Sequence, residues 1–262
     1  GTPESFASLM NMLDPTAIAN PSDYSREDIE GLFIRRFKGD IKDQVDTAFL
    51  DRDVAVCDTE SSAAEEAVYE LLAELDLATL DEDQRGGFLF KTTLEKALFS
   101  SPAACLETVT NRIERLRQDE ESDHHHDLEQ LTELRDALQQ VDAERFSKYQ
   151  ALVRLLSDLE TGLGWTGNDA DDRLVIFSER LETLSFLETR LTDDLDLPPE
   201  AIQTLHGGMS DVEQQEIVEA FGQDKADVRV LLASDIAAEG INLHYLSHRL
   251  IHFDIPWSLM IW

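Results

Sequence analysis

The sequence predicts an α/β fold built on a parallel β-sheet over residues 161–262, preceded by a mainly helical region. Three observations lead there. Residues 60–160 carry apolar positions at helical spacing almost throughout. After a Gly- and Asp-rich stretch at 161–172, short apolar runs begin to alternate with amphipathic segments. Those runs are apolar at consecutive positions, the mark of strands covered on both faces, which is how parallel sheets are built.

The elements follow in order. Ser5 to Leu13 reads as a short helix with Phe6, Leu9, Met10 and Leu13 on one face. Asp14-Pro15 and Asn20-Pro21 punctuate the chain. Ser25, with Asp28 three residues on, predicts a capped helix start. The basic cluster Leu32-Phe33-Ile34-Arg35-Arg36-Phe37-Lys38 follows. Helical periodicity then runs through Ala67, Leu71, Leu72 and Leu75, through Leu94, Ala97 and Leu98, through Val109, Ile113 and Leu116, and through Leu128, Leu131, Leu134 and Leu138. Asp119 to Asp127 is polar and reads as a loop; its His124, His125 and His126 fit an exposed linker better than a zinc site. Beyond residue 172 the expected strands are 174–177, 202–205, 228–233 and 249–253. The expected helices between them are 179–191 and 210–221, with a helical turn at 235–239. Ser210 and Glu213 form a capping box at the start of the second. In such a sheet, function collects at the carboxyl ends of the strands.

Composition narrows the function. The 262 residues hold 22 Lys+Arg against 55 Asp+Glu, a net charge of −33. A nucleic-acid binder is expected to show a basic face, and this chain as a whole repels phosphate. Six of the basic residues are lysine, and the acidity is spread along the chain. That pattern resembles proteins of salt-accumulating organisms, in whose cytoplasm the screening length falls to about 3 Å at 1 M salt. No apolar run approaches the roughly 20 residues of a membrane span. Gly1 to Pro15 has neither the basic start nor the apolar core of a signal peptide, so a cytoplasmic location is expected. Cys57 and Cys105 have no CxxC partner and are expected to be reduced, partly buried thiols in helical surroundings.

Four segments carry a resemblance. Leu174-Val175-Ile176-Phe177-Ser178-Glu179 resembles motif IV of superfamily 2 helicases. Leu205-His206-Gly207-Gly208-Met209-Ser210, with the helix ending at Phe221, resembles motif IVa. Leu231 to Leu243, with Ser234-Asp235 and Glu239-Gly240-Ile241-Asn242-Leu243, resembles motif V. His252-Phe253-Asp254-Ile255-Pro256-Trp257-Ser258 resembles the strand and turn that precede motif VI, with Ser258 where the family has Asn. The last two are most like the bacterial and archaeal SNF2 (Swi2/Snf2) subclass. Leu32 to Asp40, Ser100-Ser101-Pro102-Ala103-Ala104 and Lys148-Tyr149-Gln150-Ala151-Leu152 resemble further blocks of that family.

This resemblance implies a RecA-like second lobe of the P-loop NTPase type over 161–262. It implies a helical insertion or linker at 60–160, and the tail of a first lobe with the inter-lobe link at 1–59. The implied activity is nucleic-acid-dependent ATP hydrolysis coupled to DNA translocation or remodelling. ATP and Mg²⁺ are the implied cofactors, the first lobe of the same polypeptide and double-stranded DNA the implied partners. Glu239, Gly240 and Asn242 would face the nucleotide. Ser178, His206, Gly207, Gly208, Ser234 and Asp235 would face the nucleic-acid strand, with Arg35, Arg36 and Lys38 as a basic contact. The P-loop, the Mg²⁺ ligands and motif VI with its arginine finger are not in the sequence, so this piece alone is expected to be inactive and no catalytic residue is assigned to it. Two alternatives stand beside it: a helical scaffold whose acidic helices at 60–160 dock a partner protein, and an RNA helicase lobe.

The charge makes a prediction of its own. Screening relieves self-repulsion, so the thermal midpoint should rise as KCl approaches molar concentration. Melts at low and high KCl check this, and a flat or falling midpoint would refute it.

Overall fold

The computed structural model describes residues 2–32, 53–77, 84–119, 124–223, 225–234 and 247–254. The chain divides into two compact units, residues 1–56 and 57–262.

In the first unit, helix α1 (Pro3–Leu13) starts from Thr2, whose side chain accepts from the Ser5 amide, with Pro3 in the first turn. Its buried stripe differs from the expected one. Ala7 and Met10 pack with Ile18, and Phe6 flanks them; Leu9 and Leu13 are exposed. The chain folds back after Asp14-Pro15, and Asn11 fixes the return by bonding the backbone N–H and C=O of Ile18 at 3.0 and 2.9 Å. That tie selects the 7/10 face over the 9/13 face. The Ser25 signal yields only a 3₁₀ turn, Glu27–Ile29, which lacks a side-chain cap. Asp28 accepts from the Ser25 amide and hydroxyl, so half of the box forms and a full helix does not.

The second unit begins with stacked helices: α2 (Ala63–Glu74), α3 (Gln84–Ser100), α4 (Pro102–Gln118) and α5 (His125–Leu138). Val68, Leu72, Leu94, Ala97, Leu98, Val109, Ile113, Leu116, Leu131, Leu134 and Leu138 are in their core; all but Val68 are positions that the periodicity marks, while Ala67, which it also marks, is exposed. Cys105 lies in this core, and burial pushes its thiol up to about 12. Cys57, by contrast, is exposed and outside any helix. The expected loop at 119–127 is shorter than read, because α5 already starts at His125 and buries Asp127.

Helix α6 (Ser147–Ser157) leads into the sheet, and its start shares a cap with α2. Glu65, only 3% exposed, accepts from the Ser62 amide in its own capping box and from the amide and hydroxyl of Ser147. One carboxylate thus sits at two helix N-termini, where both the free amides and the helix dipole favour negative charge.

The remaining elements are β1 (Arg173–Phe177), α7 (Leu181–Asp194), β2 (Ile202–Leu205), α8 (Asp211–Phe221), β3 (Val230–Ala233) and β4 (Ser247–His252). Among the described residues they form a four-stranded sheet in the order β2-β3-β1-β4, every pair parallel. The α/β class with a parallel sheet, expected from the apolar runs, is what the structure shows. Leu174 and Ile176 face α6 and α7 with Trp165 and Phe253, while Val175 and Phe177 face α8 through Phe221. All five residues of β1 are buried, which is why this strand reads as apolar without alternation. The predicted Ser210–Glu213 capping box is present at the start of α8.

Arg173 is fully buried at the start of β1. Its guanidinium donates to the carbonyls of Ala170, Ala220, Phe221 and Gln223, closing the C-terminal end of α8. Arg173→Met keeps the length and removes the donors. It should cost at least about 3 kcal/mol, because each buried carbonyl left unpaired costs about 1–3 kcal/mol. Urea unfolding of the two proteins checks this; equal stabilities would overturn the role assigned to Arg173.

Candidate functional site

Parallel pairing delivers all four strand ends to one edge of the sheet. The ladder runs to that edge: the Ser234 amide donates to Leu205 O at 2.9 Å, the Ser178 amide to Ala233 O at 3.1 Å, and the Phe253 amide to Phe177 O at 2.9 Å. His206, Ser234 and Ser178 therefore stand in one row across β2, β3 and β1, followed by Phe253 and Asp254 beyond β4.

The members of the row differ in what their side chains do. Ser234 is 6% exposed and its hydroxyl has no hydrogen-bond partner among the described residues. Ser178 is 1% exposed, and its hydroxyl donates to Asp254 Oδ2 at 2.6 Å. It faces inward, with its polar atom already engaged. His206 is half-buried, and its Nδ1 accepts from the Gly208 amide at 3.1 Å. The Met209 amide donates to His206 O at 3.1 Å, so His206 to Met209 form a tight turn with Gly207 and Gly208 exposed at its centre. Neither glycine has a positive φ. A Cβ on Gly208 would lie 3.1 Å from His206 Nδ1, so the close approach that needs glycine is to the histidine ring. Gln214 Nε2 donates to the carbonyls of His206 at 3.4 Å and Met209 at 3.1 Å, which fastens the turn to α8.

Beside Ser178 lies a cluster that the sequence did not single out. Asp254 Oδ2 also accepts from Ser100 Oγ at 2.9 Å and from the Glu179 amide at 3.1 Å. Asp254 Oδ1 accepts from Lys148 Nζ at 3.1 Å. Thr183 Oγ1 lies 2.7 Å from both Ser100 Oγ and Ser101 Oγ. Burial pushes the Lys148 ammonium below its ordinary value, and the adjacent Asp254 pulls the other way. Ser100, Ser101 and Lys148 stand in segments whose family likeness is visible, but their meeting at Asp254 is a tertiary fact with no local signal.

Arg35, Arg36, Lys38, Asp235, Glu239, Gly240 and Asn242 lie outside the described residues. The described residues include no group of three or more His, Cys, Asp or Glu able to hold a metal ion. With the nucleotide-facing candidates also outside them, no step through ATP or Mg²⁺ is assigned to the described residues. A cavity of about 230 Å³ between the helices is lined by Pro102, Leu106, Leu138, Phe146 and Phe186 among others, with no ionisable group. No helix among the described residues is long and apolar enough to cross a membrane.

Residues 147–261 match the family model of the helicase conserved C-terminal domain. This part of the chain is similar to that domain. The match begins at the first residue of α6, so the matched segment includes that helix as well as the sheet. The parallel sheet is the RecA-like architecture that the motifs imply. The ATP-dependent RNA helicase dbp5 of Sclerotinia sclerotiorum is 31% identical over 109 residues, which are 42% of this chain and 20% of that protein. A probable ATP-dependent RNA helicase of Homo sapiens is 29% identical over 88 residues, 34% of this chain and 12% of that protein. The chain thus spans a fifth or less of the length of these relatives. Among solved structures, the C-terminal part of the Fun30 ATPase domain aligns with a TM-score of 0.43 at 18% identity, covering 78% of this chain and 75% of that one. The Sulfolobus solfataricus SWI2/SNF2 ATPase C-terminal domain aligns with a TM-score of 0.34 at 18% identity, covering 58% and 66%.

Two serines in the lobe's row make a paired prediction. Ser178→Ala should cost about 1.5–3 kcal/mol, since it deletes a hydrogen bond to a charged acceptor. Ser234→Ala should be neutral or stabilising by up to about 1 kcal/mol, since it removes a buried hydroxyl with no partner among the described residues. Chemical denaturation of the three proteins checks this, and the reverse order of stabilities would overturn the geometry.

Proposed function

We propose that the chain is the second lobe, with its helical extension, of a nucleic-acid-dependent ATPase of the SNF2 type. Residues 161–262 supply the core of that lobe, 60–160 a helical insertion or linker, and 1–59 the tail of a first lobe with the inter-lobe link. The observation that carries this reading is the helicase match over 147–261 on a parallel sheet whose strand ends align His206, Ser234 and Ser178. The SNF2 assignment draws on Glu239-Gly240-Ile241-Asn242-Leu243 and on the turn Asp254-Ile255-Pro256-Trp257.

ATP and Mg²⁺ would bind between this lobe and a first lobe of the same polypeptide, with Glu239, Gly240 and Asn242 on the nucleotide side. Nucleic acid would lie across the row of strand ends. There the Ser234 hydroxyl and the amide of exposed Gly207 would be the donors to backbone phosphates. Asp235 belongs to the same proposed contact, and Arg35, Arg36 and Lys38 are proposed as a further basic contact to nucleic acid. Double-stranded DNA is the favoured substrate, translocated or remodelled without necessarily separating its strands, in the cytoplasm. The second reading is an RNA helicase, favoured by the RNA helicases among the relatives.

The decisive assay compares ATP turnover of a longer protein carrying this chain with duplex DNA, with single-stranded RNA and with neither. DNA stimulation is expected, and the 262-residue chain alone should show no turnover. Ser234→Ala should raise the DNA concentration for half-maximal stimulation about fivefold, the effect of one lost contact of about 1 kcal/mol. Stimulation by RNA alone would transfer the assignment to the second reading. No turnover with either would remove the ATPase reading altogether.

A further inference from the structure

Asp254 draws its partners from three separate places in the chain. Ser100 ends α3, Lys148 lies in the first turn of α6, Ser178 and Glu179 follow β1, and Asp254 itself follows β4. The carboxylate is 10% exposed and both of its oxygens are engaged. Lys148 extends the tie: its Nζ donates to Phe99 O at 2.7 Å and sits 4.3 Å from the centroid of the Phe253 ring. Thr183 holds Ser100 and Ser101 from the lobe side. The helical layer is thereby fastened to the strand-end edge through polar groups.

A buried ion pair is a weak device for stability alone, because desolvation offsets the attraction, and its best-attested use is to fix a register. β4 is where register needs fixing. Among the described residues it pairs with β1 only, and the β1–β4 register shifts between Arg173 and Leu174. Past His252 the backbone bond from Phe253 to Phe177 O continues the ladder, and then the Asp254 side chain takes over.

We infer that Asp254 is a positioning residue: through Lys148 and Ser100 it lets the helical layer hold the strand-end edge at β1 and β4 in place, and so sets the turnover of the ATPase. The kinetic half of this inference rests on the function proposed above; the structural half does not. Loss of the tie loosens the strand-end edge around Ser178 and Glu179, and none of the tied residues is among those proposed to face ATP, so the expected effect is on kcat with KM spared.

Two measurements test this, on variants whose circular dichroism matches the parent. In the 262-residue chain, hydrogen exchange of the Glu179 amide should quicken about tenfold in Lys148→Met and in Asp254→Asn, while β2 and α8 exchange as before. In the longer protein, both substitutions should lower kcat about tenfold with KM for ATP within about twofold, and Lys148→Arg should restore at least about half of kcat. The double variant should be no slower than Asp254→Asn alone, as groups acting as one unit require. Ser100→Ala, a milder change should Asp254→Asn fail to fold, should lower kcat about two- to threefold. An unsubstituted longer protein without turnover refutes the ATPase reading, and the exchange result then decides the tie by itself. An active protein in which folded Asp254→Asn keeps parental kcat, or changes KM instead, overturns this inference alone. So does unchanged exchange at Glu179 in Lys148→Met, or parental kcat in Ser100→Ala.

Discussion

Parallel pairing around β1 is the constraint on which the lobe depends. A strand covered on both faces and flanked on both edges can carry no exposed side chain along its length, and β1 carries none. Its backbone can also reach water only at the ends. Polar chemistry is therefore pushed to the strand termini, and parallel direction gathers the carboxyl termini on one side. The buried Arg173 at one end of β1 and the Ser178–Asp254 cluster at the other are the two polar limits of one apolar strand.

Much of this was legible in the sequence because it depends on short-range pattern. Leu174 to Phe177 is apolar at every position, and that alone marks a doubly covered strand. Ser210 and Glu213 are three residues apart, and that spacing is the capping box. The strand-end candidates His206, Ser234 and Ser178 do fall in one row, since each follows its strand directly. What the sequence could not disclose is which way each side chain turns once there. Ser178 turns inward because a carboxylate 76 residues away lies within reach. Leu9 and Leu13 lost the core face of α1 because Asn11 captures Ile18 and rotates the buried stripe. Such choices are made between segments remote in sequence, where periodicity has no reach.

The acidic composition gives the few basic residues a recognisable use. Arg173 closes the end of α8, Lys91 donates to Ala73 O and Leu75 O at the end of α2, and Arg229 donates to the carbonyls of Gly167, Ala226 and Val228. These cations bind backbone oxygens, where a carboxylate would be repelled by the local dipole. In a chain of net charge −33 they serve more as internal hydrogen-bond donors than as surface charge.

The shared carboxylate of Glu65 has a consequence for how the chain comes together. Its bonds to Ser147 close a loop of 82 residues. Bringing such ends together costs roughly 4 kcal/mol of chain entropy before any contact repays it. The stacked helices α3, α4 and α5 span that loop and hold Glu65 where Ser147 can meet it. The cap at the start of α6 is therefore kept only while the helical layer holds Glu65 in place. The segment that matches the helicase domain thus draws the cap of its first helix from a residue outside itself.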